Sequence, residues 1–326
     1  MRFSILLFGA VCFLVLDGKG LEADTSRTEL IHPLPQAPEI PEAVYRLGHQ
    51  LFHDPRLSRD LTVSCATCHD LSDNGADQLR FSLGVDQQAG SIRTPTVYNA
   101  ALQFVQFWDG RVRTLEEQVD GPIHHPLEMD TDWATILPRL RADTELAGLF
   151  REAYPQQGLS IETIRSALAD FQRTLITQNA PFDRWLKGDE NALTAEQRHG
   201  FDLFKSYGCI SCHQGINAGG NMYARMGSLE SYFANKGDAI SQADLGRYNV
   251  TGNPDHRHVF KVPGLRTAAL NRYFFHDASA EGLEEAITMM ARYQLGRSMP
   301  EEDAYFIRLF IESLLGTHPL MDASQR

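Results

Sequence analysis

The sequence has few cysteines, no run of basic residues and no long apolar stretch after its first twenty residues. Its 30 basic and 42 acidic residues give a formal charge of −12. This charge excludes the concentrated basic face that nucleic-acid binding requires. With 43% apolar residues, the 326-residue chain can bury about two cores, so an intrinsically disordered protein is also excluded.

The N-terminus is typical of an export signal. Arg2 precedes an apolar run over residues 3–16, and small residues follow within 17–20. The run is too short to span a bilayer comfortably. We therefore expect residues 1–20 to be a cleaved signal peptide and the mature protein to lie in the periplasm without a membrane anchor. A retained anchor is the alternative.

Removal of residues 1–20 takes away Cys12, and each of the four remaining cysteines lies in a Cys-x-x-Cys-His string. Two thiols at i and i+3 add to the vinyl groups of a haem, and the next imidazole then lies under the iron. A zinc site or a thioredoxin-like pair is the alternative, but neither needs the His twice. The strings thus predict two covalent c-type haems, attached through Cys65 and Cys68 with His69 as iron ligand, and through Cys209 and Cys212 with His213.

Apolar residues recur at helical spacing along most of the chain, and no series of alternating strands is evident. The pattern predicts an all-α class with long loops rich in glycine and proline. The predicted helix signals are Val44, Leu47 and Leu51 before Pro55, a Ser160 cap leading to Leu175, a Thr194–Gln197 capping box, and a last helix opened by Ser298 with Glu301 and ended by Gly316.

The two halves are not close repeats. After the second string, Met290 shares a predicted helix with Leu283, Ile287 and Leu295, and its thioether could close the other face of that haem. Core filling is the alternative for Met290, as for its neighbour Met289. A His/Met iron has no open position and suits electron transfer.

Several strings in order resemble the bacterial di-haem cytochrome c peroxidase family, which also contains MauG and MbnH, from about Leu47 to Gly316. They are Leu47-Gly48, Leu51-Phe52 and Asp54-Pro55-Arg56-Leu57-Ser58; Phe107-Trp108-Asp109-Gly110-Arg111 with Leu115-Glu116-Glu117-Gln118; Gly121-Pro122 through Glu128; and Phe260-Lys261-Val262-Pro263, Leu265-Arg266 and Phe275-His276-Asp277. The resemblance implies two cytochrome c-like domains. The expected ranges are 21–39 for an N-terminal segment on the second domain, 40–178 for a peroxidatic haem domain and 181–326 for an electron-transfer haem domain.

The resemblance also implies residue roles. The first haem would react with hydrogen peroxide, with Glu128 as the distal acid/base, Gln118 orienting peroxide or water, and Pro122 shaping the distal wall. Trp108 would carry electrons between the haems. Met290 would be the distal ligand of the second iron.

One departure from the family pattern concerns the first iron. Where peroxidases of the family carry a distal His in a Ser-x-Gly-His string, this sequence has Val85. An aliphatic side chain cannot ligate iron, so we expect a five-coordinate first haem that is ready without prior reduction. The alternative is that His124, His125 or Met129 ligates instead.

Other positions concern calcium and the haem carboxylates. Family members often hold calcium between their domains through an Asn, for which Arg93 stands here, while Asn271 and Tyr273 occupy the other positions. Whether the protein binds calcium therefore stays open. Arg266 and His276 are expected to contact haem propionates, with a buried, satisfied His as the alternative for His276.

Three functions follow from these expectations. In the first, the protein oxidises a Trp or Tyr of a partner protein, as MauG and MbnH do, and Val85 favours this function. In the second, a small cytochrome or cupredoxin supplies electrons and the protein is a cytochrome c peroxidase. The third is a non-enzymatic di-haem electron carrier, which would have no use for an open coordination position.

Overall fold

A computed structural model gives the structure of the protein and describes residues 27–322 except Asn235. The predicted signal peptide, residues 1–20 with Cys12, lies outside the described residues. Within them, no helix combines the length and apolar character needed to cross a membrane.

Helices dominate the regular structure. They are α1 (Glu42–Phe52), α2 (Cys65–Cys68), α3 (Leu115–Gln118), α4 (Asp120–His124), α5 (Trp133–Arg141), α6 (Thr144–Ala153), α7 (Ile161–Thr174), α8 (Pro181–Leu186), α9 (Ala195–Tyr207), α10 (Tyr248–Thr251), α11 (Leu283–Leu295) and α12 (Glu301–Ser313). Two short antiparallel pairs, which were not predicted, join β1 (Tyr223–Arg225) to β2 (Val259–Lys261) and β3 (Tyr273–Phe274) to β4 (Ala280–Glu281). The mostly helical class is confirmed.

The first core forms where α1 packs on α7, with α5 and α6 beside them. Leu47 and Leu51 on α1 are fully buried against Phe171 on α7. The predicted cap of α7 is confirmed, because Ser160 Oγ accepts a hydrogen bond from the amide of Thr163. Gly48 lets the two helices cross closely, since a Cβ there would overlap the backbone of α7.

The second core is built from α8, α9, α11 and α12 around an aromatic cluster. Phe182, Phe201 and Phe310 are fully buried and meet edge-to-face or tilted, with ring centroids 4.9–5.2 Å apart. The predicted capping box of α9 is confirmed by reciprocal hydrogen bonds between Thr194 and Gln197. Here too a glycine, Gly200, permits the close crossing of α9 and α12.

The predicted limits of the last helix are wrong at both ends. The helix begins at Glu301 with Pro300 as its N-cap, and Ser298 does not cap it. The residue before a proline avoids the helical region, so the helix cannot start ahead of Pro300. It ends at Ser313 rather than Gly316, and Thr317 instead pairs with Gln178.

Both ends of the described chain pack away from their nearest sequence neighbours. Ile31 belongs to the second core, and the amide of His32 donates to the carbonyl of Gly215 at 3.3 Å. At the other end, Met321 is fully buried in the first core. The predicted range 181–326 for the second domain therefore includes a segment that lies against the first core, and the domain limits stay a prediction.

Candidate functional site

The first Cys-x-x-Cys-His string forms the short helix α2, whose N-terminus is capped by a capping box between Ser64 and Thr67. His69 is half-buried, and its Nδ1 donates to the carbonyl oxygen of Gly75 at 3.1 Å. Burial lowers the pKa of His69, which favours the neutral ring. Because Nδ1 carries the proton, Nε2 is left as the metal-binding atom.

The second string follows α9, which ends at Gly208 in the left-handed conformation with φ 95°. His213 Nδ1 is buried without a hydrogen-bond partner of good geometry. Burial lowers the pKa of His213 to about 4, while the nearby carbonyls of Ala218 and Pro263 oppose this shift. A neutral buried imidazole with carbonyls near Nδ1 suits iron ligation through Nε2.

The thiols of both strings are free and do not pair as disulfides. Burial raises the pKa of Cys65 to about 12 and that of Cys209 to about 11. Since none of the four sulfur atoms is used in a disulfide, all four remain available for thioether attachment. The residues therefore fit covalent haem at both strings.

A large cavity lies between α9, α11 and the loops around the second Cys-x-x-Cys-His string. Cys209, Cys212, His213 and Met290 all line it. Met289, by contrast, packs against core clusters. The two adjacent methionines of α11 therefore differ in their surroundings. Met290 lies at the cavity, where it can face a haem, whereas Met289 packs in the core.

Val85, at the position where the family pattern carries a distal His, is fully buried in the first core. Cys65 packs against the same cluster. The amide of Val85 donates to the carbonyl of Glu128 at 2.8 Å. A Cβ on Gly84 would overlap the carbonyl oxygens of Leu127 and Glu128, so the glycine allows this close approach.

Glu128 lies near the first string, since its charge contributes to raising the pKa of the Cys68 thiol, although burial is the larger cause. Burial raises the pKa of Glu128 itself, against the attraction of His125 and Arg111. A carboxyl group whose pKa is raised is suited to exchanging protons near neutral pH. Gln118 ends α3. The carbonyl of Pro122 on α4 accepts from the amide of Met129 at 3.1 Å, which ties α4 to the segment that carries Glu128.

The three alternative ligands of the first iron occupy different environments. His124 is exposed, and its Nδ1 lies 3.1 Å from the carbonyl of Thr131. His125 faces Glu128, with 3.5 Å between Nδ1 and Oε1. Met129 is buried in the same cluster as Val85. Of the three, Met129 is the alternative that the packing keeps close to Val85.

Trp108 lines the cavity of the second string. Its indole nitrogen donates to the carbonyl of Arg93 at 2.9 Å, and its own carbonyl accepts from the amide of Lys261 at 2.8 Å. The ring also meets His276 in an edge-to-face contact, with centroids 6.4 Å apart. Trp108 is therefore held by hydrogen bonds at the wall of the cavity that Cys212 and His213 line.

Arg266 and His276 line the cavity but have protein partners. Arg266 is buried, pairs with Asp183 at 2.5 Å, and donates to the carbonyls of Ile216 and His32. His276 Nε2 lies 2.7 Å from Asp244 Oδ1. The expected propionate contacts thus have competing partners, and for His276 this favours the alternative of a satisfied buried His.

The two residues expected as calcium ligands each have other partners in the structure. Asn271 Oδ1 accepts from the amide of Asn74 at 2.6 Å. The ring of Tyr273 lies under the guanidinium groups of Arg80 and Arg272, at 4.7 and 5.1 Å. Positive charges around Tyr273 oppose a cation.

Sequence reasoning missed two features of the site. Lys236 Nζ bridges Asp244 and Asp277 at 2.8 and 2.5 Å, which neutralises the one cluster of three potential metal-binding side chains found among the described residues. Lys261 is buried at the cavity wall. A lysine between Phe260 and Val262 in an apolar strand was the available signal for the latter.

The comparisons with known proteins agree with this arrangement. The di-haem cytochrome c peroxidase family model matches residues 42–191. Cytochrome c551 peroxidase of Nitrosomonas europaea is 39% identical over 84% of this chain and 80% of its own length. The chain belongs to the di-haem cytochrome c peroxidase family. The family resemblance stated from the sequence is thereby confirmed.

Further relatives span both branches of the family. Cytochrome c peroxidase Ccp of Escherichia coli is 44% identical over 93% of this chain, which spans 65% of that protein. MauG of Methylorubrum extorquens is 36% identical over 83% of this chain and 74% of its own. Since relatives named as cytochrome c peroxidases are oxidoreductases that act on peroxide, the expected enzyme class is confirmed.

A solved MauG-like protein associated with microbial copper homeostasis has the same fold, with a TM-score of 0.75 and 25% identity over 90% of this chain and 97% of that one. The di-haem peroxidase BthA of Burkholderia thailandensis shares the fold at a TM-score of 0.72 over 87% of each chain. The family includes both peroxidases and MauG, so membership alone does not distinguish reduction of peroxide from modification of a partner protein.

Proposed function

We propose that the protein is a periplasmic di-haem oxidoreductase that reacts with hydrogen peroxide at a five-coordinate first haem while both irons are ferric. When bound, the two haems would supply the two electrons that cleavage of the peroxide O–O bond consumes, and an external electron donor would then replace them. The observation that carries the proposal is Val85, a fully buried aliphatic residue beside the backbone of Glu128.

The iron ligands are assigned from the side chains that can donate to a haem iron. His69 and His213 would each hold an iron through Nε2, and Met290 would close the second haem. Support comes from the hydrogen bond between His69 and Gly75, the neutral buried ring of His213 and the cavity that His213 shares with Met290. A His/Met haem suits the transfer of electrons rather than the binding of peroxide.

Glu128 would move the peroxide proton. In this role the carboxylate takes a proton from the inner oxygen of peroxide and returns it to the outer oxygen, which then leaves as water. The raised pKa of Glu128 supports this role, because a weaker acid is a better proton acceptor. Gln118 would orient peroxide or water, and Pro122 would limit the space on the distal side.

Trp108 would relay electrons toward the first haem. Its side chain and main chain are fixed at both ends by Arg93 and Lys261. A fixed aromatic ring at the wall of the second haem site meets the needs of an electron relay, because its position changes little during turnover.

The two electrons that complete the cycle would come, one at a time, from a Trp or Tyr of a partner protein. Val85 favours this function, since an iron that is open in the ferric state needs no electron before it reacts with peroxide. The similarity to MauG proteins supports the same chemistry for this chain. The alternative donor is a small cytochrome or cupredoxin, as the names of the cytochrome c551 peroxidases indicate for those relatives.

Calcium is not part of the proposed cofactor set. Arg93 stands where the family pattern has an Asn oxygen, and a guanidinium group offers donors only. The engaged amide oxygen of Asn271 and the two guanidinium groups over Tyr273 support this reading.

Rapid mixing of the fully ferric protein with peroxide, without reductant, tests the proposal. The wild type should react at once. Val85→His should react slowly until it is partly reduced, because the imidazole would ligate the first iron, whereas Val85→Ile controls for size. Equal ferric reactivity in wild type and Val85→His would overturn the proposal. Turnover with a reduced small c-type cytochrome then separates a peroxidase from an enzyme that oxidises a partner protein.

A further inference from the structure

Two buried cationic side chains face the cavity of the second string without a carboxylate partner. Arg93 is 8% exposed, and its Nε has no hydrogen-bond partner. Lys261 is 7% exposed, and its Nζ donates to two neutral oxygens, the side-chain amide of Gln103 and the carbonyl of Val105. Neither residue forms an ion pair within the described part of the chain.

An unpaired charge in the protein interior is unfavourable, because burial removes its hydration. The effect is visible in both side chains. Burial lowers the pKa of Arg93 to about 10 and that of Lys261 to about 7, although Asp77 and Asp109 each oppose the shift from a distance. A fold that keeps two such groups at one cavity is suited to a ligand with negative charge.

The other residues that line the cavity indicate which anionic ligand it would bind. Arg93 and Lys261 line the same space as Cys212 and His213, where the family's haem would lie. A haem carries two propionate carboxylates, so two cations at the cavity wall match its charge. A planar guanidinium group also binds a carboxylate through paired hydrogen bonds.

We propose that Arg93 and Lys261 bind the propionate carboxylates of the second haem. This inference rests on the proposed haem binding. It replaces the expectation for Arg266 and His276, since Arg266 is paired with Asp183 and His276 with Asp244.

The same two residues hold Trp108 through their backbones. The carbonyl of Arg93 accepts from the Trp108 indole, and the amide of Lys261 donates to the Trp108 carbonyl. The two residues proposed to bind the propionates are thus hydrogen-bonded to Trp108, the proposed electron relay. Their charge favours the reduced haem, because adding an electron lowers the positive charge of the iron beside them.

Spectroelectrochemical titration of the holoprotein tests the proposal. Arg93→Gln and Lys261→Met should each lower the midpoint potential of the second haem by a tenfold shift in its reduction equilibrium or more, about 59 mV for one electron. The exposed residues Arg151 and Lys187 provide the controls Arg151→Gln and Lys187→Met, which make the same charge changes at the surface. Shifts no larger than those of the controls would overturn the inference.

Arg93→Lys covers the case in which Arg93→Gln yields no holoprotein. It keeps the charge, so its potential should stay within the range of the controls. Its propionate bending bands in the resonance Raman spectrum should nevertheless move, because an ammonium cannot make the paired hydrogen bonds. Unchanged bands would contradict the inference. A haem stain or haemochrome assay showing fewer than two c-type haems in the wild type would instead defeat the proposed function.

Discussion

The backbone amide of Val85 donates a hydrogen bond to the backbone carbonyl of Glu128, with 2.8 Å between nitrogen and oxygen. The residue that stands in place of a ligand and the residue proposed to move the proton are therefore fixed to each other. The guanidinium group of Arg59 also pairs with Asp86, which follows Val85, and with Asp130, two residues after Glu128.

Glu128→Gln should keep both haems but slow the reaction of the ferric protein with peroxide by about 10²–10⁴, the usual range for acid–base catalysis. In the wild type the rate should rise with pH through a midpoint above 4.5, the ordinary Glu value, because burial raises the pKa of Glu128 and the carboxylate is the active form. Stopped-flow rates across pH measure both effects. The exposed Glu145→Gln is the control, and an unchanged rate in Glu128→Gln would remove Glu128 from the site.

Met290→Ala should turn the second haem high-spin, because it removes the proposed sulfur ligand. Met289→Ala is a matched control, since the adjacent thioether packs in the core. The control should stay low-spin and lose some stability, about 2–5 kcal/mol at most for a large-to-small core substitution. A low-spin second haem in Met290→Ala would reject Met290 as ligand.

Trp108→Phe should slow electron transfer between the haems by about tenfold, or ~1.4 kcal/mol in activation free energy. The substitution keeps an aromatic ring but loses the hydrogen bond to the carbonyl of Arg93. Single-turnover kinetics of the half-reduced protein provide the rate. Transfer at the wild-type rate, with intact haem spectra, would exclude the indole as relay.

Asp244→Asn should destabilise the protein by about 3 kcal/mol at pH 7, because it breaks a buried ion pair with Lys236 and the contact with His276. The pKa values of Asp244 and Asp277 lie below the ordinary value of 3.8 despite burial, because of Lys236 and neighbouring hydrogen bonds. Their contribution is therefore complete above pH 3.8 and is lost as the pH falls through the lowered values.

Urea unfolding of wild type and Asp244→Asn from pH 7 down to pH 2 measures this difference, with Asp202→Asn as an exposed control. The wild type should lose more stability on acidification than Asp244→Asn. Parallel pH profiles would show that the cluster does not contribute.

Local signals predicted much of the fold because they depend on residues close in sequence. The caps of α7 and α9 and the apolar face of α1 needed only short-range spacing, as did the haem strings. Pairs of residues that are distant in sequence could not be predicted, as the example of Arg266 shows. Its partner Asp183 is 83 residues away, and no local pattern marks the two as a buried pair.

The choice between adjacent side chains also required the structure. Helical spacing from Leu283 through Ile287 favoured Met290 over Met289, but only the packing of α11 separates cavity from core. The position of the C-terminal segment could not be predicted for a similar reason. Met321 returns to the first core by a loop whose direction the sequence does not encode locally.

The resting ferric spectrum, taken by electron paramagnetic resonance, tests most directly whether the first iron is open. We expect one high-spin haem at His69 and one low-spin haem at His213, and the high-spin signal should persist in Met129→Leu. Two low-spin haems in the wild type would contradict an open iron, and recovery of the high-spin signal in Met129→Leu would identify Met129 as the ligand responsible.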